Sequence, residues 1–436
     1  MVRIVPNERP GVEIPPDFIG LSYEKSAMSA PLFDASDTAL VRLFRRLGPG
    51  VLRVGGNSVD RASWDPEGLG LQKGLIAPAD VSRLARFLQA TDWRIIYGLA
   101  MGPSNPQAMA DEASAACAAF GNRLVAFEIG NEPDRYHANG IRASDYAYSD
   151  FLKEWENDAR VILSATPDAS FAGPAAASNL EGYTIPFSRD ARGGITLLTH
   201  HYYRANGKLP TSTIGLMLSP DARLTGLLRA LKDAARSGSI PLGFRLAEAN
   251  SFYNGGAPHV SDSFASALWV IDFLFQCAES GASGVNLHGG GESPGYTPIA
   301  DDSRLVRDVR PEYYGMLLFS MAAQGSIMRA IVSGTDPSLS AWAVSGRDDS
   351  ERVVLINKSE GEVIVDVEVP SNYHSATLLP LTGGSLEAEK ATLLGGSAIT
   401  ADGSWEKSKE DPATVRDGHC AVALTGPGAV LAVFRQ

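Results

Sequence analysis

At 436 residues, with 44% hydrophobic and 20% charged side chains, the chain is long enough to bury one large core and a second, smaller one. Its 50 acidic against 38 basic residues give a formal charge of −12, which works against a polyanion-binding surface, so no nucleic-acid partner is expected. No stretch reaches the roughly 18 uninterrupted apolar residues of a spanning helix, so no membrane partner is expected either. The opening MVRIVPNERPGVEIPPDF lacks the charged-then-apolar layout of a secretory signal; the chain reads as soluble, with its compartment open because a leader could have been removed. Cys117, Cys277 and Cys420 are far apart, odd in number and without a CxxC pair, and read as buried thiols rather than a disulfide or metal framework.

Taken in chain order, short β-rich runs alternate with helical stretches. The strands are Phe18–Glu24, Val51–Gly56, Arg94–Ala100, Val125–Glu132, Ser170–Ala175, Thr196–Tyr203, Phe244–Asn250 and Gly284–Gly289. Helices are predicted over Ala39–Leu47, Pro78–Ala90, Pro106–Ala119, Ala143–Ser164, Pro220–Ser237 and Ser261–Ala278, several opened by Ser, Asp or Pro. Eight strands alternating with helices predict a (β/α)8 TIM barrel over residues 18–322. After about Gln324 the texture changes to alternating segments such as SLSAWAVSG, ERVVLINK and EVIVDVEVP. Residues 323–436, together with 1–17, are expected to form an antiparallel β-sandwich domain.

The chemistry sits where barrel enzymes place their sites, at the C-terminal strand ends. The fourth run ends in Glu128-Ile-Gly-Asn131-Glu132-Pro133 and the seventh contains Glu248-Ala-Asn250, so two carboxylates are expected to face one mouth. Alternation and Pro133 leave Glu132 at the rim, with Glu128 lower down, buried or helix-facing. An isolated strand-end glutamate is ordinarily a surface ion pair; two on the fourth and seventh of eight strands are not. Such a pair suits glycoside hydrolysis: a protonated Glu132 serves the leaving oxygen while an ionised Glu248 attacks the anomeric carbon, and a separation of roughly 5–5.5 Å gives retention. The amide of Asn131 fits a hydrogen bond to the sugar 2-hydroxyl. Neither role needs a cofactor or metal, and none is expected. Adjacent His200 and His201 point to opposite faces of a strand and cannot jointly chelate. His201 and Tyr203 share a face, and if it is the inner one they line the site, with Tyr203 able to reach the nucleophile.

Asn131-Glu132-Pro133 with a strand-seven glutamate resembles clan A of the glycoside hydrolases. The segment EANSFYNGGAP from Glu248 to Pro258, His200-His201-Tyr202-Tyr203, Gly55-Gly56-Asn57, Tyr296-Thr-Pro298 and Arg310-Pro-Glu-Tyr-Tyr-Gly315 resemble glycoside hydrolase family 79, which holds heparanases and β-glucuronidases. The resemblance implies Glu132 as acid/base, Glu248 as nucleophile, and Tyr253, the Gly255 N–H and Tyr296 as holders of a glucuronate carboxylate. It puts Glu24 and Asn57 against the sugar hydroxyls. Asn57 stands where mammalian heparanase has threonine, Glu24 where it has aspartate, and Asn254 where it has glycine. Ser58 to Arg94 is too short for the linker excised from that enzyme, so no proteolytic activation is implied.

The resemblance implies a glucuronic-acid-containing glycan or glucuronide as partner, with no obligate protein partner. The expected activity is retaining cleavage of β-glucuronosyl linkages, leaning to exo action. Heparanase-like endo cleavage remains the alternative, because Arg204, Lys208, Arg304, Arg307 and Arg310 stand near plausible cleft loops, Arg310 looking structural. Another clan A activity, such as a xylosidase or arabinofuranosidase, would share the glutamates without needing the carboxylate clamp. A non-catalytic carbohydrate-binding barrel is disfavoured by the two intact carboxyls. His288-Gly-Gly-Gly291 lacks the pattern of a phosphate loop and is read as cleft floor. Trp64, Trp93 and Trp269 are read as core rather than sugar platforms.

Overall fold

The computed structural model describes every residue except 6–10, 192–193, 294 and 334–337, so residues 6–10 of the expected N-terminal strand region lie outside it. Eight parallel strands close into a barrel: β1 (Ile19–Glu24), β2 (Val51–Gly55), β3 (Arg94–Leu99), β4 (Leu124–Ile129), β5 (Phe171–Ala176), β6 (Ile195–Asn206), β7 (Phe244–Tyr253) and β8 (Val285–His288). Helices between them cover the outside, among them Pro78–Thr91, Pro106–Phe120 and Phe264–Glu279. The expected helix Ala143–Ser164 begins later, at Tyr148, where Asp150 folds back onto the Ala147 N–H and caps the first turn. A further helix, Pro311–Ala322, opens within the RPEYYG segment.

Period-two alternation explains the lumen. Val51, Ala126 and Leu197 join Ile96 and Ala172 in an apolar floor layer. Two residues further along the same strands come Arg53, Glu128 and Thr199, which hydrogen-bond one another, so a polar layer stands on the apolar one. Strand β7 departs from strict alternation: its pairing with β6 shifts register between Leu246 and Glu248. This bulge lets Arg245, bonded to Asn286, and Glu248, bonded to Arg53, both turn inward despite an odd spacing.

Beyond Ala322 a sheet runs antiparallel through Gly325–Val332, Leu339–Gly346, Glu351–Asn357, Gly428–Arg435 and Ser375–Thr382. Strand Val2–Val5 pairs antiparallel with Gly325–Val332 and parallel with Val363–Glu368, so the expected purely antiparallel sandwich contains one parallel pair. Val353, Leu355, Ala432 and Phe434 pack with Val365, Val367, Cys420 and Val422 in its own core. The sandwich is fastened to the barrel where Phe275 stacks on Trp342 at 5.3 Å and where Ser340, Trp342 and Lys358 converge on Asp272.

Candidate active site

The two glutamates come from differently built strand ends. Strand β4 stops at Ile129, three residues before the expected end, and Glu132 lies in a left-handed turn (φ 53°, ψ 55°) leading into the short helix Pro133–Arg135. Glu132 therefore reaches the mouth by the turn and not by strand alternation. Gly130, at φ 78°, makes the preceding bend, where a side chain would collide with the Tyr136 hydroxyl. Glu248 is carried inside β7, with His201 as its backbone register partner on β6.

Nδ1 of His201 lies 3.0 Å from Oε1 of Glu132 and 3.9 Å from Oε1 of Glu248. One oxygen of each carboxylate and that nitrogen all lie within 4.8 Å of one another. The Tyr203 hydroxyl donates to Glu248 Oε1 at 2.9 Å. His200 points the other way, its Nδ1 2.8 Å from the Thr184 hydroxyl.

Below the pair lies a residue that the sequence reading passed over. The guanidinium of Arg53, fully buried, donates to Glu248 Oε2 (2.7 Å), Glu128 Oε2 (2.6 Å), Asn131 Oδ1 (2.8 Å) and the Ser22 hydroxyl (3.2 Å). Glu128 is therefore a lumen residue, not a helix-facing one. The available signal was a charge at an inward-alternating position of VLRVGG. Asp60 was also missed: its buried carboxylate, pushed up to about 6 by burial, accepts from Met101 N, Gly102 N, Asn131 N and the Tyr136 hydroxyl. His288, read only as cleft floor, bonds the Ser22 hydroxyl at 3.1 Å and stands 3.8 Å from Glu248 and 3.9 Å from Glu24.

This setting fixes the charge of Glu248. Burial alone would favour the neutral acid, but His288, His201, Arg53 and the Tyr203 hydroxyl hold the carboxyl far below its usual range. Burial likewise opposes charge on His201, yet Glu248 and the hydrogen bond to Glu132 raise it above an ordinary histidine. Tyr203 is pushed up by burial and by Glu248, so it remains a hydroxyl donor. Glu132, His201 and Glu248 could in principle ligate a metal ion. Arg53 already neutralises Glu248 at salt-bridge distance and would repel a divalent cation there, so the donor set fits a proton-transfer pair better than a metal site.

The other residues expected to contact substrate lie on the strand ends and loops around the mouth. Tyr296, buried, has its ring 6.0 Å from that of Tyr203; Tyr253, 41% exposed, meets Tyr203 edge-on at 6.3 Å. The Gly255 carbonyl accepts from Gly295 N at 2.9 Å, tying the loop after β7 to the one bearing Tyr296. Asn254 takes its left-handed φ of 63° with its amide on Asn206 Oδ1, a conformation asparagine tolerates well. Glu24 accepts from the backbone N–H groups of Asn57 and Ser58, while the Asn57 side chain is exposed. Asn131 Nδ2 and His201 Nε2 are buried with no hydrogen-bond partner among the described residues. Trp93 donates to the Phe44 and Gly48 carbonyls, Trp269 stacks on Phe273, and Trp64 donates to Asp111, so these rings are occupied by packing. Among the described residues no helix is long and apolar enough to cross a membrane.

No family profile matches the chain. A beta-glucuronidase of Aspergillus niger is 27% identical over 349 residues, covering 71% of this chain and 64% of the relative, so the chain spans somewhat less than two thirds of that protein's length. A heparanase of Rattus norvegicus is 28% identical over 222 residues, covering 49% of this chain and 40% of the relative. Among solved structures, a 4-O-alpha-L-rhamnosyl-beta-D-glucuronidase from Fusarium oxysporum shares the fold with a TM-score of 0.81 at 18% identity, covering 98% of both chains. The chain thus combines a closed parallel barrel and an appended β-sandwich with two carboxylates that meet at one mouth, one just past the fourth strand and one within the seventh. Its relatives are named beta-glucuronidase and heparanase, the two activities found in the family that the sequence motifs resemble.

Proposed function

We propose that the chain is a retaining β-glucuronidase in which Glu248 is the nucleophile and Glu132 the general acid/base. The observation that carries the reading is the approach of one oxygen of each carboxylate to within 4.8 Å, nearer to the roughly 5–5.5 Å of a retaining pair than to the roughly 6.5–9.5 Å of an inverting one. Glu248, kept ionised by Arg53, His201 and His288, attacks the anomeric carbon and forms a glycosyl ester while Glu132 protonates the leaving oxygen. Ester formation removes the charge of Glu248; Glu132 then takes a proton from the incoming water, which cleaves the ester and restores both groups. The free Nδ2 of Asn131, beside the acid, supports its assignment to the sugar 2-hydroxyl. Tyr253 and Tyr296 flank Tyr203 and, with the Gly255 N–H of the loop after β7, supply uncharged donors for a substrate carboxylate; Glu24 and Asn57, after β1 and β2, are assigned to hydroxyl contacts. The relatives named beta-glucuronidase support the same sugar.

Exo action is favoured over cleavage inside a sulfated polymer because the cleft cations are largely engaged. Arg204 pairs with Asp221, Arg307 with Asp302, and Arg310 donates to the Gly295 and Glu292 carbonyls. The relatives named heparanase support the endo alternative. Aryl β-glucuronide should be cleaved in preference to the matching β-glucoside and β-xyloside, with the β-anomer released first in NMR. Heparan sulfate should lose terminal glucuronic acid with little change in chain length; rapid shortening without free glucuronic acid would favour endo cleavage, and an α-anomer as first product would refute the double displacement.

A further inference from the structure

We propose that Asp60 is a positioning residue for the acid/base turn: its carboxylate grips the Asn131 N–H and thereby sets where the Glu132 carboxyl meets the leaving oxygen. The inference rests on the acid/base reading of Glu132 given above. Asp60 lies in the short helix Val59–Arg61 after β2 and is 6% exposed. Oδ1 accepts from Met101 N and Gly102 N, both at 3.0 Å, just past the end of β3. Oδ2 accepts from Asn131 N at 3.0 Å and from the Tyr136 hydroxyl at 2.9 Å, on either side of Glu132. One side chain thus ties the loops after β2, β3 and β4 into a single unit.

The turn needs such a grip. Glu132 is a non-glycine residue in the left-handed region, where L side chains crowd the backbone, so its conformation has to be imposed by its surroundings. Two of the restraints are backbone bonds, Glu132 N to the Ala175 carbonyl (3.0 Å) and Arg135 N to the Glu132 carbonyl (2.8 Å), which do not depend on side-chain identity. Arg53 holds the Asn131 side chain through Oδ1. Asp60 holds its backbone N–H. Glu248 is fixed on β7 by Arg53 and Tyr203, and Asp60 reaches it through neither of its own bonds; the nucleophile shares only Arg53 with this unit. Loss of Asp60 should therefore damage proton delivery more than nucleophilic attack.

Asp60→Asn keeps the shape but replaces one acceptor oxygen by an NH2, which must face an N–H at one of the two sites. The test compares kcat/KM of wild type, Asp60→Asn and Glu132→Gln in the full chain on aryl β-glucuronides from dinitrophenyl to phenyl, alongside thermal unfolding. Because a misplacement of about 1 Å can cost ~10²-fold and acid help is worth ~10²–10⁴-fold, Asp60→Asn should lose roughly tenfold more on the phenyl than on the dinitrophenyl substrate. Glu132→Gln should show the same slope more steeply. Equal loss by Asp60→Asn on every leaving group, with or without a lowered Tm, would mean a merely structural role and overturn the proposal. A flat series for Glu132→Gln would instead refute the acid/base reading, and this proposal with it. Should Asp60→Asn fail to fold, Tyr136→Phe removes one of the two bonds to Oδ2 and should give a slope of the same sign, about threefold, as fits a partial loss of positioning; no slope there would equally overturn the proposal.

Discussion

Replacing Arg53 by methionine keeps an unbranched apolar stem and removes the guanidinium that touches Glu128, Glu248 and Asn131 together. Both carboxylates would be left in the lumen, and breaking a buried ion pair in this way costs about 3–5 kcal/mol. For a chain of this length that corresponds to only about 3–6 °C in Tm, from the usual unfolding entropy per residue, so the variant should still fold. The pH dependence is more telling. The Glu248 carboxyl is held below its ordinary value, so its contribution to stability is present above the unfolded value of about 4.3 and is lost as pH falls through the folded one. Without Arg53 the folded value rises, and the Tm gap between wild type and variant should be widest near neutrality and narrow in acid. The acid limb of kcat/KM should move upward, and kcat/KM at neutral pH should fall by about 10²-fold or more as the floor under the pair loosens. Arg53→Lys, which keeps the charge but not the fork, should fall between. Scanning calorimetry and a pH–rate profile on aryl glucuronide measure all of this. Activity within about threefold of wild type and an unmoved acid limb would refute the account of Arg53 as one of the groups that hold Glu248 ionised.

Glu248→Gln should abolish turnover of every substrate. Glu132→Ala should spare activated aryl glycosides in the first step and respond to azide, and hydrolysis of unactivated substrate within about tenfold of wild type would exclude Glu132 as acid/base. Tyr296→Phe and Tyr253→Phe should each cost glucuronide activity one to two orders of magnitude, at roughly 1.5–3 kcal/mol per bond to a charged group, and spare glucoside; equal losses on both would show that these hydroxyls do not read the carboxylate. His201 is raised by Glu248 and Glu132, so its stabilisation is complete below about 6.5 and fades as pH rises through its folded value. The Tm penalty of His201→Gln should shrink with rising pH, and a penalty that grows would contradict the ion pairing.

The eight strands and most of the helices were legible because each announces itself locally, through a run of β-formers, a period, or a cap. The same locality made Glu132 and Glu248 visible, since each sits in a short motif at a predicted strand end, and it set His201 and Tyr203 on one face while sending His200 to the other. What lay out of reach depends on contacts between segments far apart in sequence. The bulge that turns Glu248 inward arises where β7 pairs with its neighbours, and an unbroken alternation counted from Arg245 would have faced it outward. The left-handed turn at Glu132 is bonded to Ala175 of β5 and, through Asn131, to Asp60 after β2, both far away in sequence. Arg53 reads in sequence as a stray charge in an apolar strand; only closure of the barrel brings Glu128, 75 residues away, and Glu248, 195 residues away, to its guanidinium. Periodicity tells which way a side chain points, but the charge that will meet it there is decided by which strands become neighbours, and that is a property of the closed barrel alone.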